Sequence, residues 1–265
     1  MAILTLICAL NLVFLLAVLG LVWRMRWRII RLRETLRMEY PSSLWPQFES
    51  MTRLYRLLDG KADLPNLRHW AASPDFLLHL VLHIQEHAPR RIVECGSGSS
   101  TIATALALRA FGIDGHIYSI DCYEPSVKAV RSQLRRHDLE RFVTPIFVPL
   151  APRRYDGVDR SFDWYDLPPG VIPDGIDLLV VDGPSAVQDP DARYPAGPEL
   201  LPKLSRAAHI FIDDADRPAE TEMVRRWRAL YPNLSVRKLP AEKGCSDLFF
   251  LDEARPAAEL VSVPA

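Results

Sequence analysis

The segment 91–101, RIVECGSGSST, joins a β-branched run to a Gly-x-Gly turn and a helix start made of small residues. Glycine at 96 and 98 lets the backbone turn sharply and approach a ligand closely, because no Cβ stands in the way. Glu94, at the end of the predicted strand, is placed to accept hydrogen bonds from the polar groups of that ligand. The pattern therefore predicts a nucleotide-like cofactor, against the competing reading of an ordinary strand, turn and helix with no ligand.

Two cofactor classes fit a Gly-x-Gly turn. A dinucleotide fingerprint places Gly or Ala three positions after the second glycine, where helix packs on strand and pyrophosphate meets the helix N-terminus. That position is Thr101. The alternative is an acid before the glycines and a second acid at the end of the next strand, which suits a cationic cofactor with a ribose and no phosphate. The run Gly115–Asp121, GHIYSID, supplies that acid, and an ionised carboxylate can take both ribose hydroxyls. On these residues the chain resembles the class I S-adenosylmethionine-dependent methyltransferases. The resemblance implies that Glu94, Gly96, Ser97, Gly98, Ser100, Thr101, Asp121, Cys122 and Asp182 contact S-adenosylmethionine.

A further acid set follows. Asp182 ends the apolar run 177–182, DLLVVD, and Asp213 and Asp214 end 210–214, IFIDD. Carboxyl ends of strands line the ligand crevice of a doubly wound sheet, so these acids should converge near the glycine turn. Three carboxylates in one cleft repel each other unless a cation neutralises them, and magnesium is the natural hard divalent occupant. The competing reading has Asp182 touching cofactor or capping a turn, and Asp214 capping the next helix. Over residues 73–251 the chain is similar to metal-dependent O-methyltransferases of the catechol and macrocin types. It also resembles a bacterial group with Ser100-Thr101 after the glycines, Trp164-Tyr165-Asp166 before the fourth strand and Asp182-Gly183 after it. The resemblance implies Asp182, Asp213 and Asp214 as magnesium ligands and direct transfer of the sulfonium methyl to an acceptor oxygen. Catechol-type enzymes place a lysine base three residues after the first metal acid, whereas this chain has Ser185. No catalytic base is assigned.

Alternating strands and helices must position these residues. Strands are predicted near 91–95, 116–121, 142–148, 177–182 and 208–213, and helices near 100–111, 124–136, 197–205 and 217–230. A hairpin at 235–239 and 247–251 then closes the pattern, so the expected fold is α/β, a Rossmann-like seven-stranded sheet with a terminal antiparallel hairpin. Such a hairpin characterises the methyltransferase fold, whereas dehydrogenases usually continue with another βαβ unit. Residues 151–175 read as a long connection suited to a lid or acceptor wall, and the loop 189–198, with Arg193 and Tyr194, lies where an acceptor enters. Glu220 and Trp227 read as packing and pairing residues of the last helix. Ser73-Pro74-Asp75 starts a helix to His87, with His79, His83 and His87 on one face. Two histidines so spaced suit a metal, but with no acidic or cysteine partner in view a polar outer face is expected.

The chain has 265 residues, room for one sizeable α/β domain and an N-terminal extension. Residues 3–23 contain no charged side chain, which predicts a membrane-spanning helix. Arg24, Arg26, Arg28, Arg31, Arg33 and Arg37 follow it against only Glu34 and Glu39, so the body should face the cytoplasm, on a single-pass anchor. Met25, Ile29, Leu32 and Leu36 share one helical face, suited either to an anionic membrane surface or to self-association. Tyr40-Pro41-Ser42-Ser43 predicts a helix break. The expected organisation is a transmembrane anchor at 1–23, a basic juxtamembrane helix at 24–40, a helical linker region at 41–72, the methyltransferase domain at 73–251 and a disordered tail at 252–265. The formal net charge is −1, and with the arginine-rich segment set aside the body is acidic, which argues against nucleic acid as a partner. Cys8, Cys95, Cys122 and Cys245 show neither metal-type nor disulfide spacing. The expected function is O-methylation of a small molecule, sugar or lipid-linked glycan, with oligomerisation left open. The alternative is a non-catalytic, membrane-tethered cofactor-binding or scaffold module.

Overall fold

The structure is a computed structural model. It describes the backbone of residues 2–58, 60, 64–65, 67, 70–155, 158–187 and 189–251, and the side chains of these apart from 2–10, 12–13 and 31–43. The tail expected at 252–265 lies outside the described residues.

Two compact units are present, Met1–Pro46 and Gln47–Ala265. One helix, α1 (Ala2–Leu57), contributes to both. It runs through Tyr40-Pro41-Ser42-Ser43, where the sequence predicts a break. An internal proline removes one backbone hydrogen bond, and a long helix retains enough others to continue past it. In the first unit every described side chain from Phe14 to Ile29 is exposed, and the Trp23 and Trp27 rings meet edge to face at 6.0 Å. Among the described residues no helix is long and apolar enough to cross a membrane. Residues 3–10, 12 and 13 of the expected span lie outside the described side chains.

In the second unit the end of α1 is followed by α2 (Pro74–His87), which starts on Pro74 and ends on Ala88 in the left-handed conformation. Ser73 occupies the cap position with extended backbone but makes no capping bond. Its hydroxyl instead donates to Asp75, whose Oδ1 accepts the Phe76 N–H at 2.9 Å. The helix does not present its histidines to solvent as one polar face: His83 is buried. Leu77, Leu80, Val81 and Ile84 are also buried, so the apolar arc of the helix is wide enough to take His83 with it.

The remaining elements follow as β1 (Arg91–Cys95), α3 (Ser99–Ala110), β2 (His116–Asp121), α4 (Glu124–Arg136), β3 (Val143–Phe147), β4 (Leu150–Arg154), β5 (Ser161–Tyr165), β6 (Ile176–Val181), α5 (Ala196–Leu200), β7 (Leu204–Asp213), α6 (Pro218–Leu230), β8 (Leu234–Leu239) and β9 (Cys245–Phe250). Seven strands form one sheet in the order β3-β2-β1-β6-β7-β9-β8. The pairs among the first five are parallel, and β9 runs antiparallel between β7 and β8. Successive side chains of a strand point to opposite faces, so Leu178 and Val180 of β6 join one core cluster while Leu179 and Val181 join the other. On β7, Phe211 belongs to the first, Ile210 and Ile212 to the second. Both faces are therefore covered, as a parallel sheet requires.

Two elements depart from expectation. The stretch read as an open connection contains the antiparallel pair β4 and β5, with Ala151 opposite Trp164. Pro152 and the paired arginines 153 and 154 hide β4, since proline and exposed charge argue against a strand. Phe162 and Trp164, buried at alternate positions, are the strand signal that was available. The helix expected to reach 205 stops at Leu200 and becomes a 3-10 turn over Leu201–Lys203. Pro202 cannot donate a helical hydrogen bond, and β7 begins at Leu204.

Candidate functional site

Strand register brings the chemistry-bearing ends together. Cys95 pairs with Ile120 on one side and Val181 on the other, and Val181 pairs with Ile212. Gly96, Asp121, Asp182 and Asp213 each follow one of those paired residues, so four neighbouring strands deliver them to one edge of the sheet. Backbone bonds hold the junctions: Gly96 N–H donates to Ile120 O at 2.8 Å, and Asp182 N–H to Cys95 O at 2.9 Å.

The glycine turn is tied down by the residues around it. Gly96 has φ +97°, and a Cβ there would lie 3.1 Å from the Asp182 carbonyl carbon and the Gly183 nitrogen. Gly98 is different, because its φ of −175° is extended backbone and a Cβ would meet nothing within 4 Å. The fold does not itself require glycine at 98; close approach of a ligand would. Gly98→Ala is therefore expected to leave the unfolding free energy in urea within about 0.5 kcal/mol of wild type while weakening S-adenosylmethionine binding measurably in calorimetry. An equal loss of stability and binding would show that the site needs glycine for folding alone.

Glu94 is only 2 % exposed. Its Oε2 accepts hydrogen bonds from Thr101 and from Ser119 Oγ, the latter at 2.9 Å, while Oε1 has no hydrogen-bond partner among the described residues. Burial pushes the Glu94 carboxyl up to about 7, with the neighbouring hydroxyls pulling the other way. Thr101 Oγ1 also accepts the Gly98 N–H at 3.0 Å, which explains why threonine rather than glycine suits this position. Asp121 accepts the N–H of Ser97 and of Tyr123, each at 2.9 Å. It thus fixes the turn and keeps further acceptor sites on both oxygens; burial raises its pKa. Ser97 Oγ lies 2.8 Å from Ser119 Oγ. Ser100 is buried and the Cys122 thiol half-buried beside Asp121.

The acid set is built around a residue that the sequence placed in an entry loop. Arg193 is only 4 % exposed. Its Nη2 donates to Asp182 O at 2.8 Å, to Asp182 Oδ1 at 3.1 Å and to Asp214 Oδ2 at 3.0 Å. Its Nη1 donates to Asp213 O at 3.0 Å and lies 3.4 Å from Glu220 Oε1. Arg217 adds a contact to Asp214 Oδ1 at 3.0 Å. A protein cation therefore supplies charge that the carboxylate spacing alone assigned to a metal. Burial and then Asp213 push the Asp182 carboxyl up, against Arg193. Burial and then Asp214 push Asp213 to about 6. Asp214 adopts φ +58°, a left-handed conformation costing an L-residue about 1–2 kcal/mol and tolerated best by Asn and Asp. Its N–H is held by Asp213 Oδ1 at 2.9 Å.

Carboxylate oxygens of Asp182, Asp213 and Asp214 lie within 4.8 Å of one another, and Asp213 Oδ2 is buried with no hydrogen-bond partner among the described residues. Hard oxygen donors so grouped suit magnesium, although Arg193 already occupies one oxygen each of Asp182 and Asp214. Ser185, at the position where catechol-type enzymes have lysine, is exposed, and its Oγ accepts the Val187 N–H at 3.4 Å.

Sequence reasoning missed the roles of Ser119, Tyr165 and Arg193. Ser119 is a polar residue at a fully buried position in a central strand, a visible anomaly within an apolar run. Tyr165 is buried with its hydroxyl unpartnered among the described residues, close to the Gly96 and Gly183 backbones, and burial drives its pKa well up. The Arg193 loop held no pattern announcing burial; only the folded loop carries the guanidinium to the acids.

Residues 93–215 match a family model described as a methyltransferase domain. No curated protein matches the chain. Among solved structures, an SAH-bound methyltransferase of Podospora anserina is 15 % identical, with 77 % of this chain and 88 % of that one covered at a TM-score of 0.51. The O-methyltransferase TomG of Streptomyces achromogenes, involved in tomaymycin synthesis and solved with SAM, is 21 % identical over 77 % of this chain and 90 % of its own, at 0.48. An O-methyltransferase of Bacillus cereus in complex with SAH is 18 % identical over 77 % and 91 %, at 0.48. The family match over residues 93–215 and the strand order together give this part of the chain a methyltransferase domain with the class I, Rossmann-like fold.

Proposed function

We propose that the chain is a membrane-anchored O-methyltransferase that binds S-adenosylmethionine over the Gly96–Gly98 turn and methylates a hydroxyl of a small molecule, sugar or lipid-linked glycan. The observation that carries this reading is the delivery of Glu94, Gly98, Asp121 and Asp182 to one edge of the sheet, with Glu94 Oε1 unpartnered. Asp121 takes the ribose hydroxyls, Glu94 a polar group of the cofactor, and Ser97, Ser100, Thr101 and Cys122 complete the wall. The exposed apolar side chains from Phe14 to Ile29 support burial of the N-terminal helix in a bilayer, with the arginines on the cytoplasmic side.

In the transfer itself the acceptor oxygen attacks the methyl carbon in line with the departing sulfur. The C–O bond forms as the C–S bond breaks, S-adenosylhomocysteine leaves, and the hydroxyl proton passes to water. Holding both reactants in one cleft supplies much of the rate. A magnesium ion held by Asp182, Asp213 and Asp214 would supply Lewis acidity that lowers the hydroxyl's pKa. Arg193 keeps those carboxylates in place.

Methyl-labelled S-adenosylmethionine tests this reading, offered to the full-length protein with membrane extracts and with simple sugar and catechol acceptors, with and without magnesium. Label in an alkali-stable ether, reduced by Asp213→Ala, is the expected result. Cofactor binding with no transfer to any acceptor would favour the non-catalytic module, a reading that Ser185 in place of a base also favours.

Glu94 gives this reading a pH signature. Its folded pKa, about 7, exceeds the ordinary value of 4.5, so the native state holds a proton that the unfolded state releases. Its contribution to stability is present below pH 4.5 and is lost as pH rises toward 7. Cofactor affinity runs the opposite way, because only the carboxylate accepts without first losing a proton. Calorimetry should show about a tenfold gain between pH 6 and 8, flattened in Glu94→Gln. A pH profile identical in the two proteins would remove Glu94 from the binding site.

A further inference from the structure

A second constellation lies away from the cleft. His83 and His87 stand one turn apart on α2, and His209 of β7 closes against both. The His83 ring centroid lies 4.2 Å from that of His87 and 4.5 Å from that of His209, with His87 and His209 5.0 Å apart. One ring nitrogen of each lies within 4.8 Å of the others. His209 precedes Asp213 by four residues on the same strand, roughly 13 Å at about 3.3 Å per residue. The two groups of ligating side chains are therefore separate sites.

We propose that His83, His87 and His209 bind a borderline divalent transition metal, zinc in particular, which clamps the last turn of α2 onto β7.

The hydrogen bonds around the cluster prepare it for such an ion. His209 Nδ1 lies 2.8 Å from Oδ1 of Asp247, a carboxylate that is fully buried and also held by Arg237 at 2.6 Å. With Nδ1 facing the carboxylate, Nε2 is the ring nitrogen left for an ion, the relation that orients metal-binding histidines in many proteins. His87 Nδ1 is 3.3 Å from the His83 carbonyl, which likewise leaves its Nε2 for a ligand. Burial, then His209 and His87, drive the His83 pKa down to about 2, so this imidazole is neutral at physiological pH and releases no proton on binding. Phe211 and Phe249 rings flank the group at 5.0 Å from His83 and 5.4 Å from His209.

An all-imidazole donor set selects zinc, cobalt or nickel over magnesium, whereas the carboxylates of the cleft select the hard ion. Tetrahedral zinc with bonds of about 2.0–2.1 Å sets its nitrogens about 3.4 Å apart. Closure to that distance falls mainly to His87, which is exposed and now stacks on His83 at 15° between ring planes. A fourth position remains for water. The sequence offered only the helical histidines His79, His83 and His87 on one face. The third ligand of the site and its carboxylate partner come from β7 and β9, more than a hundred residues later in the chain.

The full-length protein, stripped with chelator in detergent and titrated with zinc chloride by calorimetry, tests the site, with the visible spectrum of bound cobalt reporting coordination. One zinc per chain is expected, with affinity reduced at least tenfold in His87→Ala and in His209→Ala and about 10–100-fold in Asp247→Asn. Asp213→Asn should bind zinc as wild type does. His87 is exposed, so its replacement leaves the core intact, and circular dichroism checks the others. No zinc binding at tens of micromolar, or wild-type affinity in His87→Ala, would overturn the site and leave the three rings with a packing role alone.

Discussion

Arg193→Ala is expected to lower the stability of the domain by about 3–5 kcal/mol, the loss typical when one partner of a buried ion pair is removed. The reason is local and specific. Removing the guanidinium leaves Asp182, Asp214 and Glu220 without their shared buried partner and takes the donor from the Asp182 and Asp213 carbonyls. Arg193→Lys should recover only part of the loss, because one ammonium cannot reproduce the planar fork that serves both sides of the cluster. Urea unfolding of both variants measures this, and added magnesium should recover part of the alanine variant's stability if the vacated acids accept the ion. A change below about 1 kcal/mol in Arg193→Ala would show that the network is dispensable to the fold.

Asp121→Ala is expected to weaken S-adenosylmethionine binding by at least about a hundredfold. Hydrogen bonds to a charged group contribute about 1.5–3 kcal/mol each, and the proposed binding mode loses two of them, to the ribose hydroxyls. The same carboxylate holds the Ser97 N–H, so the turn also loses its order. Asp121→Asn keeps an acceptor for that N–H and should fall between alanine and wild type. If Asp121→Ala bound the cofactor normally, the ribose would have to lie elsewhere.

Much of this architecture was legible in the sequence for a physical reason. The β-branched runs ending at Cys95, Asp121 and Val181 are buried on both faces, and the helices between them begin and end on recognisable signals. Ser73-Pro74 marks the start of α2, and Glu124–Arg136 was bounded to the residue. The acids at strand ends were legible because parallel strands must deliver their carboxyl ends to one edge. What escaped notice depends on contacts between segments far apart in the chain. Arg193 lies in a loop with no periodicity, yet folding carries it beneath the acids. His83 looked like a surface residue because neither its place in the core nor its neighbour His209 is encoded within α2. The pair β4 and β5 was hidden by Pro152, which sits at a strand position that local propensity disfavours.

Equilibrium binding tests most directly whether the turn at 96–98 holds S-adenosylmethionine. Calorimetric titration of the full-length protein with S-adenosylmethionine, and separately with NAD, should give a saturable isotherm for the first in the range of about 1 μM to 1 mM typical of enzyme substrates. It should give none for the second. Absence of S-adenosylmethionine binding by the folded protein, or NAD binding of equal strength, would contradict the account.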